Sequence, residues 1–200
     1  MTAYDLMIKT NEYLIQDGTL TEAQQNNIVR QLLCARSGER EKQSFYRGVR
    51  YPGNADGNGE GRMYPAYFIP PYNDGRKLQT VVPMSPKTHI LSANAYELEI
   101  IRLLHLFAPK DAVVQDMVRG TLERLRGTCF GNGCPQGECF HAALPVLRFL
   151  AACAPHETEW MYKLVDFFNE HYEDKTRHSG VMRYFGLCMS ELPFAMIQSL

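Results

Sequence analysis

Residues 128–144, with the sequence TCFGNGCPQGECFHAAL, contain several side chains that bind soft metal ions. Thiolates and imidazole are the donors that tetrahedral zinc prefers, and the intervening glycines let the backbone turn around an ion. The pattern C-x4-C-x4-C-x-H therefore predicts a zinc site. Its candidate ligands are Cys129, Cys134, Cys139 and His141.

Two other interpretations of this stretch are open. Zinc sites commonly contain C-x2-C pairs, which this stretch lacks, and residues two apart, such as Cys139 and His141, face different sides of a helix. In the second interpretation, the cysteines bind no metal and are reduced thiols in a glycine-rich connection between helices. In a third interpretation, Cys139 belongs to a redox pair, and the dipole of a helix N-terminus lowers the pKa of its thiol.

Acid-base chemistry is a second hypothesis for the same region. A carboxylate and an imidazole that meet where buried helices begin can act as general acid and general base. The catalytic candidates are Glu138, His141 and His178. Candidate binding residues before another buried segment are Asn94, Tyr96 and Glu97. The structural alternative is helix capping, with Asn94 as an N-cap, Glu97 at the N3 position and Ser179 capping a later helix.

Three arginines recur inside otherwise apolar segments, and they are Arg102, Arg148 and Arg183. A buried guanidinium needs a carboxylate or several other acceptors, because an unpaired buried charge is costly. Structural ion pairs are the first interpretation. The alternative is that these arginines bind an anion on a concave surface.

The elements that position these residues follow from an internal repetition. EIIRLLHLFAPKD at 99–111 aligns with PVLRFLAACAPHE at 145–157, and VMRYFGLC at 181–188 is a shorter copy. These segments are apolar nearly all round, which indicates buried helices, whereas the segments between them have one apolar stripe. The alternation predicts a two-layer α/α array over residues 93–200, in the form of an open superhelix or a partial toroid.

This arrangement is similar to the α/α superhelices and α/α toroids of several enzyme groups. They include terpene cyclases, protein prenyltransferases, lanthionine cyclases and many carbohydrate-active enzymes. The resemblance covers roughly the last half of the chain and rests on the periodicity of its apolar residues. It implies that functional groups collect at one rim of the array, where the inner helices begin.

The first half of the chain has two other regions. Residues 1–48 read as short helices, with capping-box spacing between Thr21 and Gln24. Residues 49–92 are rich in proline, glycine and tyrosine and form a long irregular segment, in which a small β-hairpin around residues 73–75 is expected. We expect these regions and the array to form one compact domain.

Composition excludes some partners. The 200 residues contain 21 Lys and Arg against 22 Asp and Glu, so no net field attracts nucleic acid or an anionic membrane. The N-terminus has no continuous apolar run, which predicts neither a secretory signal nor a transmembrane helix. The expected location is cytoplasmic, where thiols stay reduced.

Two function hypotheses follow from these patterns. The first is a helical-repeat protein that binds or interacts with a protein or a small molecule, since the array builds a surface and no catalytic signature is present. The second is an enzyme with its active site at the inner-helix rim. A hydrolase or a carbohydrate-active enzyme, with zinc as a cofactor, fits that rim by analogy of fold.

Overall fold

The computed structural model describes residues 1–48, 63–70, 78–175 and 179–197, and these residues are mostly helical. One short 3-10 helix spans Phe130–Asn132. The described residues contain no β-strand, so the mostly all-α prediction is confirmed. The expected hairpin turn at residues 73–75 lies outside the described residues. The helices are α1 (Ala3–Ile15), α2 (Glu22–Cys34), α3 (Glu39–Gly48), α4 (His89–Phe107), α5 (Ala112–Arg126), α6 (Glu138–Cys153), α7 (Thr158–Lys175), α8 (Ser179–Glu191) and α9 (Phe194–Ile197).

The first two helices begin with the same device. Thr2 and Thr21 are N-caps, and each forms a reciprocal capping box with the residue three positions later, Asp5 and Gln24 respectively. Each box satisfies two backbone N–H groups that a helix start otherwise leaves without a partner. The capping box predicted at Thr21 and Gln24 is therefore confirmed.

Helix α4 begins earlier than the sequence pattern predicts. Its N-cap is Thr88, whose hydroxyl accepts a hydrogen bond from the Ile90 N–H at 3.2 Å. The helix therefore starts within the 49–92 segment that we expected to be irregular. Asn94 and Glu97 lie inside the helix and are buried, so the proposed capping by Asn94 with Glu97 at N3 is wrong.

The inner helices are α4, α6 and α8. Helix α6 packs against α4 on one side and α8 on the other, whereas α5 covers α4 and α7 covers α6. Helices α1 and α2 also pack on α4. Helix α4 is buried from Ile90 to Leu104 and α6 is buried over most of its length, but α5 buries a single stripe. This burial pattern is the one expected for inner and outer helices; a repeat origin and a superhelical shape stay predictions.

Pro145 lies inside α6. A proline in a helix interior has no N–H, so the carbonyl of the residue four positions earlier, His141, has no intrahelical donor there. Because the helix nevertheless starts at Glu138, residues 138–141 form its first turn. Glu138, Cys139 and His141 are therefore helical residues, and Pro145 lies within the helix and not at its start.

A buried ionic network joins four helices around Arg148, which has no exposed surface. Its guanidinium donates to Glu99 on α4 at 2.7 Å, to both carboxylate oxygens of Glu191 on α8 at 2.7 and 2.8 Å, and to Asn11 on α1 at 3.0 Å. Arg102 donates to the same Glu191 at 2.8 Å. Two arginines thus face two glutamates, which balances the charge inside the helical core.

A second buried node fixes the segment 63–70 to α4. The Glu97 carboxylate accepts the backbone N–H groups of Tyr67 at 2.6 Å and Phe68 at 3.1 Å, and it pairs with Arg124 of α5 at 2.9 Å. Arg124 also donates to Asn94 at 2.8 Å. A charged side chain of α4 therefore holds an irregular segment in place.

Replacing Arg148 tests the network around it. Arg148→Met leaves Glu99 and Glu191 without their main cation, and we expect it to lower the free energy of unfolding by about 3–5 kcal/mol. Arg183→Met is the matched control, because Arg183 occupies the corresponding repeat position but is exposed, and it should change stability by less than about 0.5 kcal/mol. Urea denaturation followed by circular dichroism measures both. Equal effects would show that the network does not carry this stability.

Alkaline pH should destabilise the fold. Burial raises the pKa of Tyr96 to about 12 and also raises the pKa of Cys153, Cys188 and Tyr184. The folded protein keeps these protons at a pH where the unfolded chain releases them, starting near pH 8.5 for cysteine. The stability that these protonated groups contribute is therefore fully present below about pH 8.5. It is lost as the pH rises toward the pKa values of the groups in the folded protein.

We expect each of these buried thiols to lower the free energy of unfolding by about 2 kcal/mol between pH 8 and pH 10. Urea denaturation in a reducing buffer at several pH values measures this slope. A double variant, Cys153→Ala with Cys188→Ala, should be less stable at pH 8 but should lose less stability on going to pH 10. An unchanged slope in that variant would contradict the assignment to the buried thiols.

Candidate metal centre and adjoining cleft

The connection between α5 and α6 is held rigidly by its own polar groups. The Thr128 hydroxyl donates to the Leu125 carbonyl at 2.8 Å and accepts the Gly131 N–H at 3.0 Å. The Asn132 side chain donates to the Thr128 carbonyl at 2.7 Å, and the Trp160 indole donates to the Gly131 carbonyl at 2.6 Å. These hydrogen bonds support the shape of the loop through groups of the protein itself.

Two of its glycines are required by space and by backbone angle. A Cβ on Gly131 would lie 2.2 Å from the Leu125 carbonyl oxygen, so any other residue forces the backbone to move. Gly133 has a φ of 73°, in the left-handed region, and packs against the Phe167 ring. Glycines that the sequence analysis assigned to wrapping an ion are thus explained by the turn itself.

This loop brings three thiols together. The Sγ atoms of Cys129, Cys134 and Cys139 all lie within 4.8 Å of one another, and those of Cys129 and Cys139 are 3.4 Å apart. Two thiolates on one tetrahedral zinc, with Zn–S bonds near 2.3 Å, are about 3.8 Å apart. The cluster can therefore accept a metal ion with small side-chain adjustments. All six cysteines of the chain are free thiols.

His141 is not part of this cluster. Residues 139 and 141 both lie in the first turn of α6, where positions two apart differ by about 200° around the helix axis. Cys139 points to the other thiols, whereas His141 lines a cleft at the opposite side of the turn. Of the four predicted ligands, the structure therefore brings together the three thiols and leaves His141 outside their cluster.

The environment of the thiols is apolar. Cys139 is buried, Cys134 is half-buried against the core, and Cys129 is exposed at its edge. Desolvation raises the pKa of Cys129, and raises that of Cys139 to about 12, although Cys139 lies in the first turn of α6. Desolvation of the thiolate thus opposes the lowered Cys139 pKa that the redox interpretation requires.

A cleft of about 680 Å³ lies where the three inner helices begin. It is bounded by the segment before α4, by the first turn of α6 and by the start of α8. Its lining is mainly apolar, with a few polar groups that include Lys87 and His141. The position agrees with the rim at which the sequence analysis expected functional groups. The residues of these three elements that line the cleft include Pro83, Met84, Thr88, Glu138, Gly180 and Val181.

Glu138 has a structural task at this rim. Its carboxylate accepts the backbone N–H groups of Lys87 and Thr88, the latter at 2.8 Å, and the Thr88 hydroxyl. It lies at the N-termini of both α4 and α6, where the partial positive charge of a helix favours an anion. The first residue of α6 thus joins α4 and α6 at their starts.

The other predicted site residues lie in several places. Glu138 and His141 both line the cleft, and His178 lies outside the described residues, so an acid-base pair at the rim stays a prediction. Tyr96 is buried in α4. Asn94, Glu97, Arg102 and Arg148 contact the protein's own side chains and backbone, whereas Arg183 is exposed.

Sequence reasoning missed the contribution of the segment before α4 to this cleft. The sequence could have predicted the positions of Lys87 and Thr88, because a threonine directly before the apolar run HIL is a signal of a helix start. Met84 and Gly180 carry no such signal, because their positions depend on how α8 packs beside the segment 78–88. A Cβ on Gly180 would lie 2.9 Å from the Met84 Cγ and from the Pro83 carbonyl oxygen, so a larger residue requires these neighbours to move.

Comparisons with protein-family models, with curated proteins and with solved structures found no match to this chain. Within the ranges that the structure describes, no helix combines the length and the apolar character needed to cross a membrane. The functional assignment therefore depends on the chemistry of the thiol cluster and of the cleft.

Removing the charge of Glu138 tests whether its hydrogen bonds to the start of α4 stabilise the packing of α4 and α6. We expect Glu138→Gln to lower the free energy of unfolding by about 1–2 kcal/mol, because charge-assisted hydrogen bonds to backbone N–H groups are replaced by weaker ones. Glu123→Gln, on the exposed side of α5, is the matched control and should stay within about 0.5 kcal/mol of the unchanged protein. Chemical denaturation at pH 7 measures both. Unchanged stability in Glu138→Gln would contradict the assignment.

Proposed function

We propose that this chain binds a thiophilic divalent metal ion, with zinc as the first candidate, through Cys129, Cys134 and Cys139. The observation that carries the proposal is the convergence of the three Sγ atoms within 4.8 Å. Thiolates are the protein ligands that select soft and borderline ions over magnesium and calcium. The rigid loop supports the proposal further, because the ligands are already gathered before an ion arrives.

The coordination has an open position. Within the described residues the cluster offers three thiols and no fourth protein ligand, whereas structural zinc sites have four. A bound zinc would therefore keep one site for water or for a small exogenous thiol. Such an ion would also link the end of α5 to the start of α6, which is a reason to expect that metal binding stabilises the fold.

The thiol cluster and the cleft are separate sites in this proposal. Cys139 and His141 point to opposite sides of the first turn of α6, so a zinc ion on the thiols is not the metal of an acid-base site at Glu138 and His141. A zinc-dependent hydrolase at the rim is therefore not the function that we favour. A binding protein fits the arrangement better, and all six cysteines are free thiols.

Small-molecule binding in the cleft is the second candidate function. The volume of about 680 Å³ falls within the range of about 300–1,000 Å³ that ligand pockets occupy. The mainly apolar lining with a few polar groups suits a compact organic molecule with one or two polar substituents. Native mass spectrometry of the intact protein, before and after denaturation, reports any molecule that the cleft retains from the cell.

Metal analysis tests the leading proposal. We expect the tag-free, reduced protein to carry about one zinc per chain, and excess zinc to raise the melting temperature of the chelator-treated protein, because the ion binds only the folded state. Cys134→Ser should lose most of this zinc and most of the thermal shift. Cys34→Ser, which changes an exposed thiol outside the cluster, should retain both.

Inductively coupled plasma mass spectrometry and differential scanning fluorimetry measure the two quantities. A zinc content well below one per chain, together with no thermal shift when zinc is added to the reduced protein, would refute zinc binding. Equal zinc content in Cys134→Ser and Cys34→Ser would place the metal elsewhere.

A further inference from the structure

We infer that the same three thiols capture trivalent arsenic, supplied as arsenite, in a complex with three sulfur ligands. This inference deepens the proposed function, since it rests on the same cluster, but it concerns a different chemical class of ligand. It is carried by the number of converging thiols, by their apolar surroundings and by the access that Cys129 provides.

The number of ligands matches the coordination of trivalent arsenic. Arsenic in this oxidation state has a lone pair and forms three bonds in a pyramid, so three thiolates complete its coordination. Zinc needs a fourth ligand, which the cluster does not supply among the described residues. With Cys129, Cys134 and Cys139 mutually within 4.8 Å, each pair is close enough to share one small central atom.

The reaction is a condensation that needs no oxidant and no reductant. Arsenous acid, As(OH)₃, reacts with three thiols, and three As–S bonds form while three As–O bonds and three S–H bonds break. Each hydroxyl leaves with a thiol proton as water, so three molecules of water are released. Arsenic stays trivalent throughout, and the protein's net charge does not change.

The charge of the product suits the place where it forms. Three thiolates with a divalent ion carry a net charge of −1, whereas three thiolates with trivalent arsenic are neutral. Burying a net charge among apolar groups is costly unless it is paired. Gly133, next to Cys134, packs against Phe167, whose ring contacts Phe140 directly after Cys139, so an aromatic layer backs the cluster. A neutral complex is therefore favoured on this side of the loop.

The gradient of exposure gives arsenite a path into the cluster. Cys129 is exposed, Cys134 is half-buried and Cys139 is buried. Arsenite can form its first bond at the surface and then exchange its remaining hydroxyls with the inner thiols. Because Thr128, Asn132 and Trp160 hold the loop in place, the second and third bonds form within one preorganised molecule.

The number of sulfur atoms on bound arsenic is the decisive measurement. Reduced protein in a phosphine reductant, which offers no competing thiol, is mixed with arsenite, and arsenic X-ray absorption counts the sulfur neighbours. We expect three in the unchanged protein and in Cys34→Ser, and two in Cys134→Ser. Equilibrium dialysis should show that the arsenite affinity falls by about 100-fold in Cys134→Ser, because a third intramolecular contact is lost.

Cys129→Ser is the second variant, because its side chain lies at the surface and its loss leaves the core packing intact. Circular dichroism confirms that the variants are folded. Two sulfur neighbours in the unchanged protein, or equal arsenite affinity in all variants, would overturn the inference. Zinc binding without arsenite binding would overturn this inference alone, whereas arsenite binding with three sulfurs but no zinc binding would overturn only the proposed function.

Discussion

Helix α4 buries more charge than an inner helix can carry without partners, and the surrounding elements supply those partners. Glu97, Glu99 and Arg102 lie within six positions of one another on this helix, and all are buried. An uncompensated buried charge destabilises a protein by several kcal/mol. The packing around α4 is therefore constrained by electrostatics as well as by shape. Each neighbouring helix must place a side chain of opposite charge, or a hydrogen-bonding group, next to a buried charge of α4.

The two halves of α4 use this constraint differently. Toward its C-terminus, Glu99 and Arg102 engage Arg148 of α6 and Glu191 of α8, which sets the depth of the three inner helices relative to one another. Toward its N-terminus, Glu97 and Arg124 fix α5 and an irregular segment. With α4 and α6 set at one depth, Glu138 reaches the start of α4, and the loop from α5 to α6 has a defined span in which its thiols converge.

The sequence predicts much of this architecture and less of its polar chemistry. Apolar periodicity distinguishes inner from outer helices, and the Thr21 capping box follows from a local pattern of residue types. The failure at Asn94 and Glu97 has a physical reason. A polar residue near a helix start reads as a cap, whereas their real partner, Arg124, lies about thirty positions further along the chain. Pairing over such a distance leaves no local signal.

At the candidate site, too, some features follow from the sequence and others depend on tertiary packing. The convergence of three thiols follows from a short, glycine-rich loop, and the exclusion of His141 follows from helical geometry that the spacing already indicated. The raised thiol pKa does not follow from sequence, because it depends on how much water the folded core removes. Proximity along the chain therefore predicts which thiols converge, whereas their burial, which raises the thiol pKa, depends on tertiary packing.

The contact between Glu138 and Thr88 also has a consequence for the order of folding. The two residues are 50 positions apart, so their hydrogen bond closes a long loop that contains all of α5. Closing such a loop costs chain entropy before its contacts compensate, and local helices form earlier. We therefore expect this contact to form after the transition state, so that its loss would accelerate unfolding and leave the refolding rate nearly unchanged. Glu138 would then help to set how long the native state persists.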